Sequence, residues 1–239
     1  MGLEPAAVIF DLDGVLLDSE QRWNAAKREL VRDVGGHWSE DAPVVMMGMS
    51  SPEWSVYMRD ELGVPLAADA ISRDVVRRME DGYRAALPLL PGAEDAVRAL
   101  AARWPLGLAS SSNREIIDLV LELAPFGGSF AVTVSSEEVA HGKPAPDVYL
   151  EAARRLGAEP ARCVAIEDSS NGLRAAAAAA MAVIAVPNPH YPPSEDALAL
   201  ASVRVTVPGD VTPALVVQAG AMPTAASGVA TRKLNDSSR

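Results

Sequence analysis

Cysteine, aromatic rings and positive charge are all in short supply in this chain. Its 239 residues include one cysteine, Cys163. No internal disulfide can form, so folding does not depend on an oxidising compartment. Cys163 opens the apolar run Cys163-Val164-Ala165-Ile166, where a buried, unreactive thiol is expected. Lysine and arginine number 21 against 32 acidic residues, a formal charge of −11. A surface of that sign repels nucleic acid and anionic lipid, so neither is expected as a partner. No apolar stretch is long enough to span a bilayer, and no cationic-then-apolar leader precedes Val8. A soluble, cytoplasmic, monomeric protein is expected. Aromatic residues are only 5% of the chain, but hydrophobic residues are 49%, enough for one sizeable core.

Short runs of small and β-branched apolar residues recur at 6–10, 106–109, 130–134, 163–166 and 183–186. Each is bounded by polar or turn residues, as strands buried on both faces of a parallel sheet are. Between them, Ala93, Ala96, Val97 and Leu100 mark one face of a helix, as do Ile116, Ile117, Val120 and Leu121 after a capping Asn113. Pro146 suits the first turn of a helix to Leu156, and Ser169 or Ser170 can cap an alanine-rich helix to Met181. Alternating strands and helices predict an α/β fold: a Rossmann-like, doubly wound parallel sheet with helices on both faces.

Residues 18–87 break the alternation. They contain helical patterns at 19–34, 52–62 and 67–86, separated by Gly35-Gly36 and Gly63-Val64-Pro65, and no good strand. An all-helical insert after the first strand is expected, with Leu87-Pro88-Leu89-Leu90-Pro91-Gly92 as a stiff return. The division is therefore a core of 1–17 and 88–218, a helical cap of 18–87, and a disordered tail of 219–239 rich in Ala, Ser, Thr and Gly.

Parallel sheets place their sites at the carboxyl ends of strands. Here those ends carry Asp11 and Asp13, then Ser110, Ser111 and Ser112, then Glu167 and Asp168, and the loop from His141 to Pro146 adds Lys143. Alone, each has an ordinary explanation: a turn, a helix cap or solvated surface. Together they suit phosphoryl transfer. One carboxylate can attack phosphorus. A second, two residues on, can serve as acid and then base. A hydroxyl and a lysine can hold the phosphoryl oxygens. Asp11 and Asp168 can supply oxygen ligands to a hard cation such as Mg²⁺. The net negative charge makes such a cation more necessary, because the substrate would be an anion.

These motifs resemble those of the haloacid dehalogenase superfamily, in the branch of β-phosphoglucomutases and sugar-phosphate phosphatases. The resemblance covers about residues 5 to 190. It rests on Asp11-Leu12-Asp13-Gly14-Val15-Leu16-Leu17-Asp18-Ser19-Glu20, on Leu108-Ala109-Ser110-Ser111-Ser112, on Lys143-Pro144-Ala145-Pro146-Asp147, and on Ile166-Glu167-Asp168-Ser169-Ser170-Asn171-Gly172. It implies Asp11 as nucleophile, Asp13 as general acid/base, and Ser110, Ser111 and Lys143 as phosphate-binding residues. It also implies Mg²⁺ held by Asp11, the main-chain carbonyl of Asp13 and Asp168, with Glu167 as ligand or as support behind the ligands. Asp13 favours phosphate esters, whose leaving group needs a proton.

The resemblance also bears on phosphatase against mutase. The histidine that follows the nucleophile by twelve residues in the mutase pattern is Trp23 here. The loop Met47-Gly48-Met49-Ser50-Ser51-Pro52 lacks the mutase arginine. Lys27, Arg28, Arg32, Arg59 and Arg73 are expected on solvated helix faces. Glu20 and Trp23 instead resemble the start of the cap in hexose- and hexitol-phosphate phosphatases. These two, with Gly48 and Ser50, are the candidate cap contacts to substrate. A small phosphorylated metabolite, a sugar or polyol phosphate, is the expected partner, with a phosphosugar mutase as the alternative.

Overall fold

A computed structural model describes residues 4–47 and 49–222. In chain order they form β1 (Ala7–Phe10), α1 (Glu20–Asp33), α2 (Ala42–Val45), α3 (Ser51–Asp60), α4 (Ala68–Ala85), α5 (Ala93–Ala101), β2 (Leu106–Ser110) and α6 (Arg114–Leu123). There follow β3 (Phe130–Ser135), α7 (Asp147–Leu156), β4 (Cys163–Glu167), α8 (Ser170–Ala178), β5 (Ala182–Ala185), α9 (Glu195–Leu198), β6 (Val203–Arg204) and α10 (Pro213–Ala221).

The strands form one parallel sheet in the order β3-β2-β1-β4-β5-β6. The five expected strands are present, and the two-residue β6, too short to show a pattern in sequence, adds an edge. β1 is wholly buried, so both faces must be apolar, and alternate residues serve opposite faces. Val8 and Phe10 pack with α5, α6 and α10, and Ala7 and Ile9 pack with α7 and α8. Small residues on α8, Ala175 and Ala176, let that helix lie close on the sheet. The doubly wound α/β architecture expected from the sequence is therefore the one found.

In such a sheet the chain turns away in opposite directions after the two central strands, which opens a crevice at their carboxyl ends. Those strands are β1 and β4. Their pairing runs on past β1, because the Asp11 N–H donates to the Ile166 carbonyl at 3.0 Å.

Among the described residues, the chain from α1 to α4 is helical, as expected. Its outgoing and returning links lie side by side. Leu17 bridges Leu89, the Asp18 N–H donates to Pro88 O at 2.8 Å, and the Leu90 N–H donates to Leu16 O at 3.0 Å. Apolar residues of these helices, including Trp54, Met58, Ile71 and Tyr83, join the same buried cluster as one face of the sheet.

Three local expectations change. The boundary expected at residue 219 falls inside α10, where Ala219 is fully buried against the sheet face; residues 223–239 lie outside the described residues. α8 ends at Ala178, before Ala180 turns to φ 61°, so Met181 starts the approach to β5. Asn113 precedes α6 without a side-chain cap bond. Its amide instead donates to Glu137 at 2.7 Å while accepting from Ser51 Oγ at 2.5 Å, and Glu137 takes the Arg114 N–H at 3.0 Å in its place. Cys163 is buried and its thiol is pushed up to about 11 by burial, as an inert core thiol would be.

Gly92 starts α5 with φ 79°, and a Cβ there would sit 2.6 Å from the Cα of Gly209. Both the backbone angle and the contact exclude a side chain. Gly92→Ala is expected to destabilise the fold by about 1–3 kcal/mol, read as a lower urea midpoint at unchanged slope. An unchanged midpoint would mean that this junction yields freely.

Candidate active site

Three carboxylates meet at the ends of β1 and β4. Oxygen atoms of Asp11, Glu167 and Asp168 lie within 4.8 Å of one another, and all three residues are buried. One buried cation faces them. Lys143 Nζ donates to Asp11 Oδ1 at 2.7 Å and to Glu167 Oε1 at 2.6 Å. Burial opposes the Lys143 charge, but Asp11 and Glu167 outweigh it and hold the ammonium above its ordinary value.

The carboxylates have different surroundings. Both Glu167 oxygens are committed to protein donors. Oε1 also accepts from the Tyr149 hydroxyl at 2.7 Å, and Oε2 accepts from the Asp168 N–H at 3.0 Å and from the Ser169 N–H at 3.3 Å. Asp168 takes no side-chain hydrogen bond from the described residues. Burial, then Glu167 and Asp11, push its carboxyl well above the usual range. Asp11 is pushed up to about 7, by burial first, with Glu167 and Asp13 adding to it and Lys143 opposing. Gly14, at φ 80°, leaves room for Asp168: a Cβ at that position would lie 1.9 Å from Asp168 Oδ2.

Asp13 is held separately. Its Oδ1 accepts from Ser19 Oγ at 2.5 Å and from the Trp23 indole N–H at 3.3 Å, and its Oδ2 accepts from Ser112 Oγ at 2.5 Å. Ser19 and Trp23 belong to the start of the helical insert and Ser112 follows β2, so this carboxylate ties two parts of the chain together.

A cavity opens over these groups. It is lined by Asp11, Asp13, Ser111, Ser112, Lys143 and Asp168 below, and by Glu20, Trp23, Lys27, Met49, Ser51 and Trp54 above. Most residues expected from the sequence are thus brought together. Ser110 is fully buried and does not line the cavity; its oxygen accepts the Ser112 N–H at 3.0 Å, while Ser111 and Ser112 reach the wall. Ser50 closes a capping box with Glu53 at the start of α3, and its neighbour Ser51 faces the cavity instead. Gly48 lies outside the described residues.

One expectation about the insert is overturned. Arg28, Arg32, Arg59 and Arg73 are exposed as anticipated, but Lys27 is buried and lines the cavity. The sequence carried a signal for it. Glu20, Trp23 and Lys27 stand at i, i+3 and i+7, one face of α1. Ser112 stood among the strand-end hydroxyls without a role of its own, and Trp54 and Tyr149 were passed over, the last because no motif marks a helix residue that reaches across to a strand end.

The family described as haloacid dehalogenase-like hydrolase matches residues 5–180. The chain belongs to this family. Among haloacid dehalogenase-like relatives, hexitol phosphatase B of Escherichia coli is 36% identical over 189 residues, covering 77% of this chain and 84% of the relative. Fructose-1-phosphate phosphatase YqaB of the same organism is 33% identical over 186 residues, covering 76% and 96%. A CbbY variant from Rhodobacter sphaeroides, solved with xylulose-(1,5)bisphosphate, superposes with a TM-score of 0.78 at 26% identity, covering 89% and 99%.

The donor set fits a divalent metal of the hard class. Asp11 and Asp168 present oxygen only, are buried, and have no cation of their own beyond Lys143, which Glu167 shares. Glu167, with both oxygens already bonded, fits a supporting place behind them.

The raised carboxyls make stability depend on pH. The folded chain holds protons on Asp11 and Asp168 that the unfolded chain releases, so their contribution is complete below about pH 4. It is lost as pH rises through the folded values, about 7 for Asp11. In EDTA, Tm should therefore fall between pH 5 and pH 8, and fall less in Asp168→Asn. Added Mg²⁺ should raise the wild-type Tm more at pH 8 than at pH 5, because metal and proton compete for the same oxygens. Equal behaviour of wild type and variant in scanning calorimetry would contradict this reading.

Proposed function

We propose that this hydrolase of phosphoric monoesters is a Mg²⁺-dependent phosphatase acting on a small sugar or polyol phosphate through a phosphorylated Asp11. The observation that carries the reading is the meeting of Asp11 and Asp13 from the end of β1 with Lys143 and Asp168, under a roof of residues from α1 and α3. The proposed division is a core of residues 1–17 and from 88 through the end of α10, with residues 18–87 as the cap.

Mg²⁺, held by Asp11, Asp168 and the main-chain carbonyl of Asp13, would offset the charge of the phosphoryl oxygens. Lys143 fixes one Asp11 oxygen, leaving the other to attack phosphorus. As that O–P bond forms, the ester P–O bond breaks and Asp13 gives its proton to the departing oxygen. Ser111 and Lys143, which line the cavity beside Asp11, are the donors proposed for the phosphoryl oxygens; the Ser112 hydroxyl is already given to Asp13. A water then attacks phosphorus, Asp13 takes its proton, and Asp11 is released with inorganic phosphate.

Support for sugar-type esters comes from relatives named hexitol phosphatase B and fructose-1-phosphate phosphatase YqaB, and from "Phosphorylated carbohydrates phosphatase" of Thermotoga maritima, 31% identical over 177 residues. Discharge to water rather than to a second phosphorylated position is supported by the roof. Its one cation among the described residues is the compact ammonium of Lys27, without the guanidinium fork that matches phosphate.

Asp11→Asn should keep its fold by circular dichroism and lose about 10³-fold or more of its turnover. Wild type given β-glucose 1-phosphate with a trace of β-glucose 1,6-bisphosphate should yield free phosphate. Rapid formation of glucose 6-phosphate with little phosphate would assign the mutase reaction instead.

A further inference from the structure

Lys27 is a buried ammonium with no hydrogen-bond acceptor among the described residues. It projects from the cavity-facing side of α1, and Nζ lies 5.6 Å from the Trp23 ring centroid and 5.1 Å from that of Trp54. Two aromatic faces partly offset its desolvation, but they accept no N–H bond in the way an oxygen does. No carboxylate of the described residues lies within ion-pair distance of it. Glu20, two turns earlier on the same helix face, lines the same cavity and acts on Lys27 only through space. Burial drives the ammonium down to about 8 and the Glu20 carboxyl upward, and the attraction between the two offsets only part of either shift.

An ammonium that reaches a cavity with no protein acceptor relies on water or a ligand for its hydrogen bonds. Here the donor faces the cavity above the reacting groups, beside an acceptor and between apolar ring faces. That combination matches the surface of a polyol. Adjacent hydroxyls can accept from Lys27 and donate to Glu20 while C–H edges lie on the indole rings. A second anionic group fits less well, because Glu20 and Asp13 would stand near it.

We infer that Lys27 and Glu20 form a donor–acceptor pair that reads hydroxyl groups at the end of the substrate remote from the reacting phosphate. The inference rests on the phosphatase reading and deepens it, assigning specificity to two residues on one helix face. Sites built this way reject analogues that lack the hydroxyl, because their own buried polar groups are then left unpaired.

The test compares hexitol 6-phosphates with the matching terminal deoxy analogues. Release of phosphate from any ester by the wild type establishes the underlying activity first. Failure of that step sinks the phosphatase reading, whereas the inference itself is judged on ratios. Wild-type kcat/KM should favour the hydroxylated ester by about tenfold to a hundredfold, the range for a hydrogen bond to a charged group. Lys27→Met should erase most of that preference, with the loss falling on KM for the hydroxylated ester. Arg32→Gln, an exposed change on the same helix, should leave the ratio intact. A wild-type ratio near one overturns the inference even if Lys27→Met does not fold. So does a Lys27→Met variant that keeps the preference. A loss confined to bisphosphates or sugar-acid phosphates would also overturn it, by making Lys27 a reader of anions.

Discussion

An excess of carboxylate over ammonium, enclosed at the ends of the two central strands, is the condition on which the rest of this site depends. Among the described residues, Lys143 is the one cation paired within the cluster of Asp11, Glu167 and Asp168, and its partners are Asp11 and Glu167. Removing an ion from water costs several kcal/mol even after relaxation, and attraction to a partner repays this only when geometry and hydrogen bonding are good. Glu167 meets that condition through Lys143, Tyr149 and backbone N–H groups. Asp11 and Asp168 do not, and their upward-shifted carboxyls express the deficit. Under the proposed reading the deficit leaves carboxylate oxygens of Asp11 and Asp168 open to a cation that the protein itself does not supply. A cation bound there would also resolve the conflict between a chain of charge −11 and the proposed anionic substrate.

The helical insert is coupled to this centre through Asp13. Ser19 and Trp23 enter from one side and Ser112 from the other, so the carboxylate that would handle protons is also a fastening point. A second fastening joins Ser51 to Asn113, and a third joins Asn24 to Tyr191 at 3.3 Å. Polar groups are spent on these joints, while apolar packing continues from α3 and α4 into the sheet core. The N–H of Trp23, a candidate cap contact from sequence, is committed to Asp13, and what Trp23 leaves to a ligand is its ring.

The sheet was legible because its strands are buried on both faces, which writes short, nearly continuous apolar runs into the sequence. The edge strand β6 was not, since two residues carry no period. The carboxylates and Lys143 were legible because each stands at a strand end or in its own loop beside turn residues. Lys27 was misread for a physical reason. A lysine in an amphipathic helix is usually solvated, and only the partner elements reveal that this face of α1 is turned inward. Asn113 was likewise read as a cap because capping is local, whereas its actual partners, Ser51 and Glu137, are distant in sequence.

The account stands or falls on whether the surplus carboxylates bind a cation. Calorimetric titration of the purified protein with Mg²⁺ at pH 6.5, in buffers of different ionisation enthalpy, measures this directly. One Mg²⁺ should bind per chain with release of protons from the raised carboxyls, and Asp168→Asn should lose that binding. Absence of saturable binding by the wild type, or the same binding without proton release in both proteins, would contradict it.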